Sequence, residues 1–177
     1  MELGLILNDA SLSSKAKAQK ISGLITAGEL PVADLITAAK KASDENKASL
    51  IEALELATRK DPVISTLETF KFASALIAEK SNRIKLESAR VIGNIAHLYP
   101  GKVDLAISQL LTNAEHPGTV VRWSAAFALG QIILTFHPKA LKLLPAIKAL
   151  MAVETDNAIR KIYGKAIKAA EKHAPPA

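Results

Sequence analysis

Val121-Arg122-Trp123-Ser124-Ala125-Ala126-Phe127-Ala128-Leu129-Gly130-Gln131-Ile132 decides how this chain is read, because the pattern returns. Ile84-Lys85-Leu86-Glu87-Ser88-Ala89-Arg90-Val91-Ile92-Gly93-Asn94-Ile95 begins 37 residues earlier, and Ile159-Arg160-Lys161-Ile162-Tyr163-Gly164-Lys165-Ala166-Ile167 begins 38 residues later. In each copy an apolar residue is followed by a cation, then by small residues at helical spacing. Self-similarity at a fixed period of this size marks a stacked repeat architecture. One helix pair cannot bury both of its apolar faces, so neighbouring units stack and share a continuous core.

Composition agrees with a helical interior. Hydrophobic residues make up 49% of the 177 residues and aromatics only 4%, so aliphatic and small side chains must fill the core. Alanine both favours helix and lets helices approach closely. Periodicity and breakers divide the chain into about ten helical segments. A short piece over 3–9 precedes a helix capped by Ser13 or Ser14 and ended by Gly28. Pro31 opens a helix over 31–42, and Ser43 or Asp44 caps one reaching Lys60. Pro62 is expected to start a helix running to about Glu79, and Ser81 or Asn82 one ending near Tyr99. The remaining segments are 102–114, 119–136, 139–153 and 156–172, with Pro138 and Asp156 at the last two starts. The prolines fall mostly at these junctions, and the tail 173–177 is expected to fray.

Aligning every second helix places Lys17, Lys47, Lys85, Arg122 and Arg160 in one column, each just after a turn holding Asp9, Asp44, Asn82, Glu115 or Asp156. On these residues the chain resembles the HEAT-repeat family, in particular its short bacterial and archaeal members. Their pattern is an apolar helix, an acidic turn, then Val-Arg-x-x-Ala-Ala-x-Ala-Leu-Gly. The match is close at 121–130, good at 84–93, looser at 159–167, and weak at 46–55 and 17–25. The resemblance implies an all-α, right-handed α-solenoid of about five HEAT-like helix pairs in one domain over 1–172. The repeats would be 1–28, 29–60, 61–99, 100–137 and 138–172. It also implies that the second helix of each pair lines a concave face, and that the cationic column bonds to acidic turns and sets the stacking register.

Charge is unevenly placed. Residues 1–117 carry 14 Lys/Arg against 14 Asp/Glu, whereas 118–177 carry 9 against 3, so the whole net charge of +6 lies in the last third. Lys161, Lys165, Lys168 and Lys172 are spaced 4, 3 and 4, which puts them on one helix face. Two readings stand for this stripe: a solvated outer face for a terminal repeat, or an electrostatic contact with nucleic acid or an acidic protein. Trp123 and Phe127, four apart, flank the Ala-Ala pair on the side turned from the core. Their counterparts are Leu86 and Arg90 before them and Lys161 and Lys165 after them. Either the two rings fill a gap between helices, or Trp123, Phe127, Arg90, Lys161, Lys165 and Lys168 form a concave patch of aromatic anchors and cations.

Catalytic signals are sparse. His97, His116, His137 and His173 lie at helix ends, a turn and the tail, without a second ligand one turn away. The chain has no His-Glu dipeptide, so it departs from the iron-binding pattern of the HEAT-like deoxyhypusine hydroxylases. Glu52 and Glu55 read as a solvated helix face. No cysteine is available for a disulfide or thiolate site, which fits a cytoplasmic location, and no stretch approaches the ~20 apolar residues that cross a bilayer. The expected protein is therefore a monomeric, non-catalytic interaction scaffold without metal or cofactor, binding a protein partner on its concave face. The second reading is nucleic-acid binding through the basic C-terminal third, without base-excision chemistry, by resemblance to the HEAT-like DNA-alkylation-repair proteins. A third, by resemblance alone, is cofactor handling as in the HEAT-like phycobilin lyases.

Overall fold

The computed structural model describes residues 2–135 and 137–172, and the expected frayed tail lies outside the described residues. Ten α-helices and no strand are found there: α1 Glu2–Asn8, α2 Ser14–Thr26, α3 Val32–Lys41, α4 Asp44–Lys60, α5 Leu67–Leu76, α6 Asn82–Ile95, α7 Asp104–Ala114, α8 Thr119–Thr135, α9 His137–Val153 and α10 Asn157–Lys172. Polar caps set several starts. Ser13, Ser43 and Ser81 accept from the backbone N–H three residues on, and Asp156 Oδ1 accepts from Ala158 and Ile159. Such caps satisfy helix-start donors and contribute about 1 kcal/mol each. After α2 the chain reverses at Gly28, whose φ of 76° is cheap only for glycine.

Each odd-numbered helix packs on the even-numbered helix that follows, and the even-numbered helices pack on one another in sequence, α2 on α4, α4 on α6, α6 on α8 and α8 on α10. The result is a two-layer α-solenoid. Its inner layer holds most of the fully buried aliphatic side chains, among them Ile21, Leu50, Leu54, Ile92, Leu129 and Ile132. Burial of that apolar area, at roughly 25 cal/mol per Å², holds the repeats together.

Amide side chains stitch neighbouring units at their helix ends. Asn94 Nδ2 donates to the Glu55 carbonyl at 3.2 Å and to Thr58 Oγ1 at 3.3 Å, and Asn113 Nδ2 donates to the Ile77 carbonyl at 2.9 Å. They reach across one repeat to the last turns of α4 and to the Ile77 carbonyl just past the end of α5.

Three helix limits differ from the sequence expectation. Pro62–Ile64 is a single 3₁₀ turn, not the start of a long helix; the chain is extended at Ser65 and restarts as α5. The cause is local polar chemistry. Ser65 Oγ donates back to the Pro62 carbonyl at 2.7 Å, the Tyr99 hydroxyl donates to the Ser65 carbonyl at 2.8 Å, and Thr66 and Thr69 form a reciprocal capping box. Likewise α6 ends at Ile95, with a 3₁₀ turn over Ala96–Leu98, and α5 ends at Leu76. Pro145 lies inside α9 rather than at a junction.

Candidate binding surface

Small residues on α8 bring the inner helices close. Ser124, Ala125, Ala126, Ala128 and Gly130 are all buried, which leaves the larger Trp123 and Phe127 on the opposite, partly exposed side. Their rings stack, with centroids 5.8 Å apart and planes 6° from parallel. Phe127 also reaches α6. A Cβ at Gly93 would lie 2.5 Å from Phe127 Cε1 and 2.8 Å from Cδ1, so glycine there makes room for the ring. Gly93→Ala should therefore cost between about 0 and 2 kcal/mol of stability, since alanine gains roughly 1 kcal/mol of helix propensity while overpacking costs about 1–3 kcal/mol. The half-exposed ring is what must move. The measurement is Trp123 fluorescence, expected to change in wavelength and intensity as the stack opens.

The cationic column is occupied internally at four of its five positions. Arg122 Nε and Nη2 contact Glu154 at 2.9 and 3.2 Å, and Nη1 donates to the carbonyls of His116 and Pro117, both at 3.1 Å. Arg160 donates to the carbonyls of Met151 and Glu154. Lys17 donates to the Leu7 carbonyl at 2.7 Å, and Lys47 lies 3.8 Å from Asp44 and 3.9 Å from Glu79. The side chain of Lys85, half-buried at the equivalent place, has no hydrogen bond or ion pair with a described residue. Two of these contacts cross to the next repeat's acidic turn (Lys47 to Glu79, Arg122 to Glu154). The Arg122 hydrogen bonds hold the Glu154 carboxyl below its ordinary range, against the opposing effect of burial. Behind the pair, burial and the Glu154 charge push the Tyr163 hydroxyl up to about 12.

Arg90 does not stand free beside the aromatic pair. Its Nη2 and Nη1 each lie 2.9 Å from a carboxylate, Glu55 on α4 and Glu87 on α6. The Glu55 side chain is 1% exposed, which corrects the reading of Glu52 and Glu55 as a solvated face. Glu52 is half-buried and bonded to Arg83 at 2.6 Å. Burial pushes the Glu87 carboxyl up to about 7; Arg90 opposes that shift, and the nearby Glu52 and Glu55 charges add to it. These carboxylates were the residues missed from sequence. The Glu87–Arg90 spacing of three hints at an ion pair, but Glu55 joins it only through the register between α4 and α6.

Lys161, Lys165, Lys168 and Lys172 are exposed, and none bonds or pairs with a described residue. They line a groove of about 900 Å³ together with Leu134 of α8 and Met151 of α9. The structure thus brings together Trp123 with Phe127 and, one helix on, the three predicted lysines with Lys172; Arg90 belongs to the buried network. Among the described residues no group of three His, Cys, Asp or Glu side chains could hold a metal ion, and no helix is long and apolar enough to cross a membrane.

Neither a protein-family profile nor a curated protein matches the sequence. Solved structures do match in shape. A designed armadillo repeat protein in complex with the peptide (KR)4 aligns with a TM-score of 0.71 at 17% identity, over 95% of this chain and 80% of that one. Computationally designed armadillo repeat proteins for modular peptide recognition give 0.71 at 20% identity, over 94% and 80%. An engineered protein gives 0.74 at 14%, over 96% and 79%. The fold is an all-α helical repeat solenoid. At these identities the likeness speaks for the fold alone.

Proposed function

We propose that the chain is a non-catalytic interaction scaffold that binds a peptide or protein segment on the concave face formed by its even-numbered helices. The single observation carrying this is the Trp123–Phe127 stack, half-exposed on α8 in the middle of an otherwise small-residue or internally paired surface. Rigid aromatic anchors on a preformed surface are where binding energy concentrates. The helix pairs α1/α2 to α9/α10 are then five HEAT-like repeats of one domain, with the column at Lys17, Lys47, Lys85, Arg122 and Arg160 as their register device. Peptide recognition by the designed armadillo proteins supports this use of the fold. The sign of charge differs, because the unpaired lysines of α10 would repel a basic peptide such as (KR)4.

The test is selection of binders from a displayed random peptide library, followed by titration of the selected peptides. Trp123→Ala should weaken them by about thirtyfold or more, the scale of a hot-spot truncation of ~2 kcal/mol. Selected peptides indifferent to Trp123→Ala would overturn the reading.

The free lysines of α10 favour a second reading, nucleic-acid binding. Its mark is an affinity for generic oligonucleotides that falls steeply with salt, as phosphate-bound counterions are released.

A further inference from the structure

We infer that the groove along α10 takes an acidic peptide segment, bound in extended form with Asp or Glu at every second position. This rests on the concave-face reading above and names the chemistry of its partner. The first argument is which cations remain available. Four of the five arginines are held by the fold, Arg90 by Glu55 and Glu87, Arg83 by Glu52, Arg122 by Glu154 and Arg160 by two carbonyls, while Arg59 is exposed and 3.8 Å from Glu55. The stripe of four lysines on α10 is different, exposed and without a described partner. Like charges one turn apart repel each other, so the stripe is relieved by an anion laid along it.

Spacing supplies the second argument. Successive lysines of the stripe rise by about one helical turn, ~5.4 Å, and every second residue of an extended chain advances about 6.6 Å on one face. The whole stripe is about 16 Å long, the length of about five extended residues. Five extended residues carry three carboxylates at alternate positions, one fewer than the four ammonium groups, and the flexible lysine stems can close the difference of about 1 Å per step. The intervening side chains have an apolar floor available in Leu134, which is 38% exposed, and half-buried Met151.

Peptide is favoured over nucleic acid by what surrounds the stripe. The fork-shaped guanidinium groups of Arg83, Arg90 and Arg122, which could grip phosphates in bidentate fashion, are paired with carboxylates of the fold. The apolar floor of Leu134 and Met151 beside the stripe suits peptide side chains better than a phosphodiester chain.

The experiment is a fluorescence-anisotropy titration of the full chain with labelled synthetic peptides: one alternating Glu and Ser, one of the same composition with Glu and Ser in separate blocks, one alternating Lys and Ser, and one alternating Leu and Ser. A single-stranded DNA oligonucleotide of the same charge is titrated in parallel. The alternating-Glu peptide should bind best, and reversing two exposed lysines together (Lys165→Glu with Lys168→Glu) should raise its Kd at least about tenfold. Equal affinity for the blocked peptide would overturn the alternating register. Tighter binding of the oligonucleotide, lost on the same reversal, would overturn the peptide in favour of nucleic acid. Preference for the Lys or Leu peptide, with loss on Trp123→Ala, would overturn the acidic chemistry but leave concave-face binding standing. No binding by any probe would overturn the acidic-peptide groove, and the library selection would then decide the concave-face reading by itself.

Discussion

Arg90→Ala is expected to lower the stability of the chain by about 4 kcal/mol at pH 8, in the middle of the 3–5 kcal/mol range for removing one partner of a buried ion pair. The reason is that this truncation strands two carboxylates. Glu55 is 1% exposed, its Oε2 is buried without any hydrogen-bond partner, and Arg90 gives Oε1 its shortest contact, with Arg59 at 3.8 Å and Asn94 Nδ2 at 3.5 Å beyond it. Glu87 is 7% exposed and paired only with Arg90. Both would remain in a site too dry to solvate them.

The same network sets a pH dependence with an unusual sign. Glu87 is raised from 4.5 to about 7 when folded, so between those values the folded chain holds a proton that the unfolded chain has released. Its contribution to stability is full below about pH 4.5 and is lost as pH rises through about 7. In Arg90→Ala the guanidinium that holds Glu87 down is gone, so the proton is kept to higher pH. The deficit relative to the parent should then shrink between pH 8 and pH 5, as read from urea-denaturation midpoints. A deficit under about 1 kcal/mol at pH 8 would mean that the pair is solvated and the assignment wrong. Replacing the network together (Arg90→Met, Glu55→Gln, Glu87→Gln) should cost much less than the sum of the single changes, because no charge is then stranded.

What could be read from residue order, and what could not, follows from how each feature is encoded. The solenoid is legible because each inner helix repeats the same small-residue pattern, and stacking needs only that pattern. The α10 lysine stripe and the Trp123–Phe127 pair are legible for a simpler reason, since four-residue spacing on one helix places side chains together without knowledge of any neighbour. Arg90 shows the opposite case. On its own helix it occupies the position of Phe127 and Lys165, and so resembles a surface cation. Its burial against Glu55 depends on the register between α4 and α6, and α4 carries the pattern only weakly. The Pro62 segment failed for a more local reason. Pro62 opens only a 3₁₀ turn, because Ser65, Thr66 and Thr69 offer the backbone a closer set of hydrogen bonds, and α5 begins at Leu67.

Arg122→Ala is the second large change, and its smaller size follows from what remains around Glu154. That carboxylate is 4% exposed, yet its Oε1 also accepts from the backbone N–H groups of Thr155 and Asp156, both at 2.9 Å. A loss of about 2–3 kcal/mol is expected, at or below the lower end of the buried-pair range. The Glu154 carboxyl is held below its ordinary value when folded, so its contribution is present above about pH 4.5 and disappears as pH falls through the folded value. The difference between Arg122→Ala and the parent should therefore narrow in acid, as it does for Arg90→Ala but at lower pH and through a different group. The location of the damage also differs. Arg122 sits on α8 and Glu154 in the turn between α9 and α10, so the contact fastens the last helix pair to the one before it. In a stacked array each unit is stabilised mainly by its neighbours, so hydrogen exchange should accelerate first in α9 and α10, with α2, α4 and α6 keeping their protection. Uniform acceleration along the chain would instead mean that the contact supports the whole array, and that the terminal pair and its lysine groove do not open as a separate unit.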